Sequence, residues 1–380
     1  MTDYSQKPAI FFGSRAIYPP WDEGSKNMVY GLARNLGDFK ITLLTYKDFE
    51  PFPIPENVKL YPVFPKAQMM VVSLRQKLAF LWAVLTSEAD IYHFFFSPEK
   101  TTAKILKWVK ILKKGVFIQT IPTPLESLKE PSKNIFGDWV VAQSQYSKNK
   151  LVELGMQHAY CVYPGIDPKQ LSLNTPTTTL KKNFGLPSKT TVVLYPGHYY
   201  LGCNDDLIHL VKKNYKKGTN VTFVFACRIA GERDIKLKSS IEKSLKKEIL
   251  SGLVMLFDNV NSIYSLMSLA DIVIFPPRIM TKKSEIPLAL LESLALEKPI
   301  VITDLPPLNE IMKRDVGEIV PPANSEALFQ AVDKLIHNPH IRRSKGKSGK
   351  QMILEEFNIR QSARNYAELY QKVLNDNFNH

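Results

Sequence analysis

Long apolar runs are what this 380-residue chain lacks most plainly. Its better ones, such as residues 286–291 and 271–277, fall well short of the roughly 20 residues that span a bilayer, so no transmembrane helix is predicted. The first residues, Met1-Thr-Asp-Tyr-Ser-Gln-Lys-Pro8, offer neither the basic nor the apolar segment of an export signal, because they pass directly into a strand-like stretch. The chain is expected to stay in the cytoplasm. Cysteine is scarce too: Cys161, Cys203 and Cys227 are odd in number, widely spaced and without a C-x-x-C pattern or a histidine pair at ligand spacing. That excludes a disulfide scaffold and a structural zinc, and each cysteine reads as a small buried hydrophobe.

Acidic residues are also short, at 36 against 50 Lys and Arg, leaving a net charge of +14. Such an excess asks for a partner: nucleic acid, an anionic membrane surface or a phosphorylated substrate. Two stretches concentrate it. Residues 100–114 hold six lysines and no acid, and residues 342–350 hold five basic residues and no acid. Solvated helix faces account for such runs equally well.

What is present is a chain 44% apolar and 11% aromatic, enough to bury large cores, at a length that favours two domains. Short β-branched or aromatic runs alternate with longer amphipathic ones, as βαβ units should. Strands are predicted over 9–12, 41–46, 58–63, 90–95, 115–119, 139–142 and 160–163, with helices over 25–36, 74–85, 101–112 and 147–154. Ser147 is positioned to cap the last of these and Gly155 to stop it. Residues 167–189 dissolve into Pro, Thr, Asn, Ser and Lys, the composition of a linker. Beyond it come strands over 191–195, 221–226, 254–257, 271–275 and 299–303, and helices over 205–214, 235–250, 261–269, 287–296 and 325–337. One or two helices close the chain over 353–375. The expected fold is α/β, two Rossmann-like doubly wound domains facing across a cleft.

Open parallel sheets bind ligands beyond the carboxyl ends of their strands, so the loops there carry the functional signal. The first strand runs through Gly13 to Gly24-Ser25 at a helix start, where backbone amides can approach a phosphate. Leu194-Tyr-Pro-Gly197-His198 opens the second domain in the same way, and a tight turn explains it as well. The richest stretch joins the strand Ala270-Asp-Ile-Val-Ile-Phe-Pro-Pro-Arg278 to Ser284-Glu285-Ile-Pro-Leu-Ala-Leu-Leu-Glu292. Ser284 is placed to cap that helix, with Pro287 in its first turn. Glu285 then stands at the loop mouth and Glu292 two turns along, so that one carboxylate can address a reacting group and the other a diol such as ribose. Glu292 sits between leucines, where an idle charge is costly.

These blocks, with Pro19-Pro20, Val140-Val-Ala-Gln-Ser144, Pro164-Gly-Ile-Asp167 and Pro299-Ile-Val-Ile-Thr303, resemble the GT-B glycosyltransferases of retaining family 4 (glycosyl transferases group 1) over nearly the whole chain. The resemblance implies an acceptor domain over 1–170, a carboxyl-terminal helix at 356–380 packing back on it, and a donor domain over 171–355. It implies a nucleotide-diphosphate sugar as co-substrate and no metal or other cofactor. Glu292 would bind the ribose hydroxyls, while Gly24, Gly197 and the amides near Leu288 would approach the diphosphate. The expected acceptor is a hydroxyl of a glycan or lipid-linked molecule, met by a protein lying peripherally on the inner membrane face through residues 104–114. Core packing of that helix is the competing reading.

Three departures qualify the likeness. The family's Arg and Lys after the domain-two glycine are replaced by His198 and Leu201, so Arg228, Arg278, Lys282 or Lys283 would have to supply phosphate cations. The first carboxylate of the E-x7-E pair falls on Ser284, with Glu285 one residue late. Of the family's His-x-His only the first position is kept, as His93, which with Glu285 is the expected catalytic pair. A catalytically weak GT-B protein serving as a binding or partner subunit is therefore the alternative. No nucleic acid partner is expected, since no helix-turn-helix, zinc or RNP-like pattern is present.

Overall fold

A computed structural model describes residues 7–19, 21, 23–64, 73–97, 99–171, 175–229, 231–258, 260, 263–280 and 283–378. Residues 1–6, Pro20, Lys282 and the first two positions of the helix expected over 261–269 lie outside the described residues. The chain divides into two compact units, Met1–Ile166 with Asn358–His380, and Asp167–Phe357.

The first unit runs β1 (Ala9–Gly13), α1 (Gly24–Asn35), β2 (Lys40–Tyr46), β3 (Val58–Phe64), α2 (Leu74–Thr86), β4 (Ile91–Phe95), α3 (Lys100–Leu112), β5 (Val116–Ile121), α4 (Pro131–Asn134), β6 (Trp139–Ala142), α5 (Gln145–Glu153) and β7 (Ala159–Cys161). Its sheet has the order β3-β2-β1-β4-β5-β6-β7, and every pair is parallel. Parallel strands covered on both faces need apolar side chains on both, which is why β4 reads Ile-Tyr-His-Phe-Phe and is buried throughout. α2 begins with a reciprocal cap: Ser73 Oγ accepts from the Gln76 amide at 3.2 Å, and Gln76 Oε1 accepts from the Ser73 amide at 2.9 Å. Ser144, not Ser147, caps α5, accepting from the Ser147 amide at 3.1 Å. The helix starts two residues earlier than expected because Ser144 holds the extended backbone that a cap requires.

The second unit contains α6 (Thr177–Asn183), β8 (Thr191–Tyr195), α7 (Asn204–Lys217), β9 (Val221–Ala226), α8 (Glu232–Ser244), α9 (Lys246–Leu250), β10 (Val254–Phe257), α10 (Ile263–Leu269), β11 (Ile272–Phe275), α11 (Leu288–Ala295), β12 (Ile300–Thr303), β13 (Gly317–Val320), α12 (Ser325–His337) and α13 (Pro339–Glu356). The sheet order is β10-β9-β8-β11-β12-β13, again all parallel. The stretch expected to be linker therefore holds a helix, α6, which anchors Leu180 in the second unit's interior. The helix expected over 235–250 breaks at Leu245 into α8 and α9.

The chain ends in α14 (Ile359–Phe378), which belongs to the first unit. The Pro-Gly-Ile-Asp segment receives it: the Ile359 amide donates to the Ile166 carbonyl at 2.8 Å and Ser362 Oγ to the Tyr163 carbonyl at 2.9 Å. Tyr366, Leu369, Tyr370 and Val373, at helical spacing, are buried. Among the described residues no helix is long and apolar enough to cross a membrane.

Candidate functional site

In both sheets the winding direction reverses beside the first strand, between β1 and β4 and between β8 and β11, and such switch points are where open α/β sheets take ligands. In the second unit the β8, β9 and β11 loops carry the residues of interest. Tyr195, the last residue of β8, turns its ring under its own loop, and its hydroxyl donates to the His198 carbonyl at 2.9 Å. A Cβ on Gly197 would lie 2.0 Å from that ring, so glycine is required there by the tyrosine, whatever else the loop does.

His198 stacks on Tyr200 with centroids 5.0 Å apart, and its buried Nδ1 has no hydrogen-bond partner among the described residues. Its pKa is pushed down to about 3, first by burial and then by the charges of Lys283 and Arg228. Lys283, 5.8 Å from the centroid of the Phe275 ring, is lowered to about 8 by burial and by Arg228, partly offset by Cys227. The structure thus brings three nitrogen-bearing side chains, from the loops after three adjacent strands, within electrostatic influence of one another. Arg228 is exposed, Lys283 and His198 half-buried. An anion is what such a cluster is built to receive.

Burial pushes the Cys203 thiol up to about 12 and the Cys227 thiol higher still, so neither is a thiolate at neutral pH. Both are fully buried, while Cys161 is half-buried.

Pro287, not Ser284, stands at the start of α11, and no side chain caps that helix. Ser284 lies too far ahead of the first helical residue, Leu288, to reach its amides, and Pro287 carries no amide hydrogen to satisfy. Glu285 is 0% exposed, so its carboxylate is enclosed instead of standing at the loop mouth. Glu292 is 8% exposed and accepts from the Tyr264 hydroxyl of α10 at 3.2 Å. Burial raises its pKa to about 7, against a smaller lowering by that hydrogen bond. Tyr264 was not singled out from the sequence, because its helix offers no motif.

Arg278 is used differently from the expectation. Its Nε and Nη2 grip both oxygens of buried Asp206 on α7, at 2.8 and 2.9 Å, which commits the guanidinium within the fold.

The remaining sequence-predicted residues belong to the first unit. Gly24 is the first residue of α1, preceded by Glu23, whose carboxylate accepts from Ser25 Oγ at 2.7 Å and pairs with Arg15 at 3.1 Å. His93 lies inside β4 and is 0% exposed; Nδ1 bonds the Tyr370 hydroxyl at 2.6 Å and Nε2 the Thr120 hydroxyl at 2.7 Å. Desolvation drives its pKa well below the usual histidine value. Its contacts are those of a packed histidine that ties α14 to the sheet, with both ring nitrogens already engaged. Among the described residues no group of three or more His, Cys, Asp or Glu side chains is placed to hold a metal ion.

Two parallel-sheet Rossmann-like domains in one chain are the components of the GT-B fold, and solved structures of that class match nearly all of it. Sucrose-phosphate synthase from Thermosynechococcus elongatus shares the fold with a TM-score of 0.74 at 14% identity, covering 98% of this chain and 100% of its own. HepE of Anabaena, solved with UDP and glucose, gives 0.73 at 15% identity over 96% and 100%. Residues 176–352, which lie within the second unit, match the family model described as Glycosyl transferases group 1. Alpha-D-kanosaminyltransferase of Streptomyces kanamyceticus is 23% identical over 205 residues, 51% of this chain and 48% of that protein. The shared stretch spans about half the length of that relative.

Proposed function

We propose that the protein is a retaining, metal-independent glycosyltransferase of the family 4 type. It moves a hexose or related sugar from a nucleoside diphosphate to a hydroxyl of a lipid-linked or cell-envelope glycan at the inner membrane face. The observation that carries this reading is the convergence of Arg228, Lys283 and His198 in the loops after β8, β9 and β11, with Lys283 in the loop that leads into α11. In this reading Arg228 and Lys283 replace the family cations absent at His198 and Leu201. As the bond from the anomeric carbon to the phosphate oxygen breaks, negative charge grows on the diphosphate, and cations aimed at it act more strongly in the transition state than before it. The amide at Leu288, first in its helix, is the neutral donor assigned to the same group. Glu292 takes the ribose hydroxyls, while the enclosed Glu285 is given no contact with the sugar.

Thermal shift against UDP, GDP, ADP, CMP and their sugars tests the reading, since a ligand of the folded state raises Tm. One nucleotide family should do so, with the shift lost in Lys283→Met and Glu292→Ala, and slow donor hydrolysis should depend on Glu292. Because an anion favours charged Lys283, affinity should fall as pH rises through about 8. If no nucleotide binds at millimolar concentration, the reading fails and the partner-subunit alternative, which the enclosure of Glu285 and His93 favours, replaces it.

A further inference from the structure

We infer that the face formed by α2 and α3 is a docking surface for an anionic lipid bilayer. On α2, Leu74, Leu78, Trp82 and Leu85 recur at helical spacing and are exposed, Trp82 to 61%. On α3 the core takes Ala103, Leu106 and Val109, while Ile105, Trp108, Ile111 and Leu112 face outward, Trp108 at 73% and Ile111 at 75% exposure. The two stripes are continuous: Leu81 and Leu85 of the first line a groove of about 330 Å³ with Trp108 and Leu112 of the second, and its lining holds only apolar side chains. Lys113 joins the helices, donating to the Leu85 and Ser87 carbonyls at 2.7 and 2.6 Å. A contiguous apolar patch of this kind is a contact surface in a protein that stays soluble.

The charge around it selects the occupant. The two helices carry Arg75, Lys77, Lys100, Lys104, Lys107 and Lys110 and no carboxylate. A second copy of this chain would bring the same positive charge against itself. Nucleic acid would match the lysines but leave the leucine stripe in water. An anionic bilayer meets both demands: acyl chains and the interfacial layer take the tryptophans and leucines, and head groups take the lysines. The inference deepens the proposed function by naming where a lipid-linked acceptor would be met, and it rests on that reading only for the acceptor.

Co-flotation of the full chain with phosphatidylcholine vesicles, with and without phosphatidylglycerol, tests it. Trp82 and Trp108 are two of four tryptophans, so a blue shift of intrinsic fluorescence should accompany binding. Partition should rise at least about tenfold with the anionic lipid and fall as much in Trp82→Ser/Trp108→Ser and with rising salt. Lys104→Glu/Lys107→Glu should weaken only the phosphatidylglycerol arm. Nucleotide-induced thermal shift should be unchanged in both variants, which separates failure of the surface from failure of the donor site. No partition of the wild type, partition unaffected by the tryptophan changes, or concentration-dependent self-association abolished by those changes would each overturn the inference.

Discussion

Residues 100–114 and 342–350 look alike on paper, two acid-free basic runs, and the fold treats them in opposite ways. The second lies in α13, where Arg342, Lys345 and Lys350 are engaged within the second unit. Lys345 is 7% exposed, pairs with Asp315 and with Glu318 at 3.3 Å, and donates to the Gly317 carbonyl at 2.9 Å. Arg342 donates to the Leu335 and Ile336 carbonyls at 2.7 Å, closing the carboxyl end of α12 where a cation suits the helix dipole. Lys350 reaches Glu297 at 2.7 Å. In the first run Lys107 and Lys113 satisfy carbonyls and Lys110 pairs with Asp138, but Ile105, Trp108, Ile111 and Leu112 stay exposed. A charge run therefore says little until the neighbouring elements are known, because the acids and carbonyls that answer it come from elsewhere in the chain.

The sharpest test of the contrast is Lys345→Met, expected to cost about 2–3 kcal/mol in chemical denaturation. That is below the usual cost of breaking a buried pair because Asp315 is largely exposed. Lys104→Met, in the other run, should change stability by no more than about 0.5 kcal/mol. Gly346→Ala comes next: its Cβ would lie 2.1 Å from the Glu297 carbonyl oxygen, so α13 must lift, at about 1–3 kcal/mol. A lysine among cations should behave oppositely to a lysine among acids. Lys283, lowered to about 8 from 10.5, makes the unfolded chain bind more protons between those values, so stability should rise with pH across that window by ~1–2 kcal/mol after allowance for partial exposure. Lys283→Met should flatten that rise, whereas Lys345, whose pKa is raised by its acidic partners, gives stability that is lost as pH climbs above 10.5. Smallest of all, Trp108→Ser should leave denaturation within about 0.5 kcal/mol while Val109→Ala, one residue on, costs about 1–2.

Much of the fold was legible. Strands β6, β8, β9 and β10 and helix α12 lie where the apolar runs and helical spacing predicted them, to the residue. Strands buried on both faces must be apolar nearly throughout, and that signal survives in a single sequence. β13 was missed because Gly-Glu-Ile-Val is short and half exposed at the sheet edge. α13 was missed over all but its last four residues because glycines and a basic run obscure its weak amphipathic pattern. Gly346 is there for close packing against Glu297, which no local rule reveals.

The candidate site divides the same way. The loops and residue types that could meet a diphosphate were readable from glycine, proline and charge placed after strands. Which cations remain available was not. Arg278 and Lys283 stand five residues apart in one loop, yet Asp206, 72 positions away from Arg278, claims the first and leaves the second beside Arg228. His93 and Glu285 looked like catalytic groups by position, and only packing shows them enclosed. Sequence by itself determined the two α/β domains, their strand-end loops and the excess of positive charge, because backbone pattern and composition are local properties. Tertiary structure decided which charges are neutralised, which carboxylates are desolvated and which apolar stripe is left facing water, because each depends on groups brought near from distant parts of the chain.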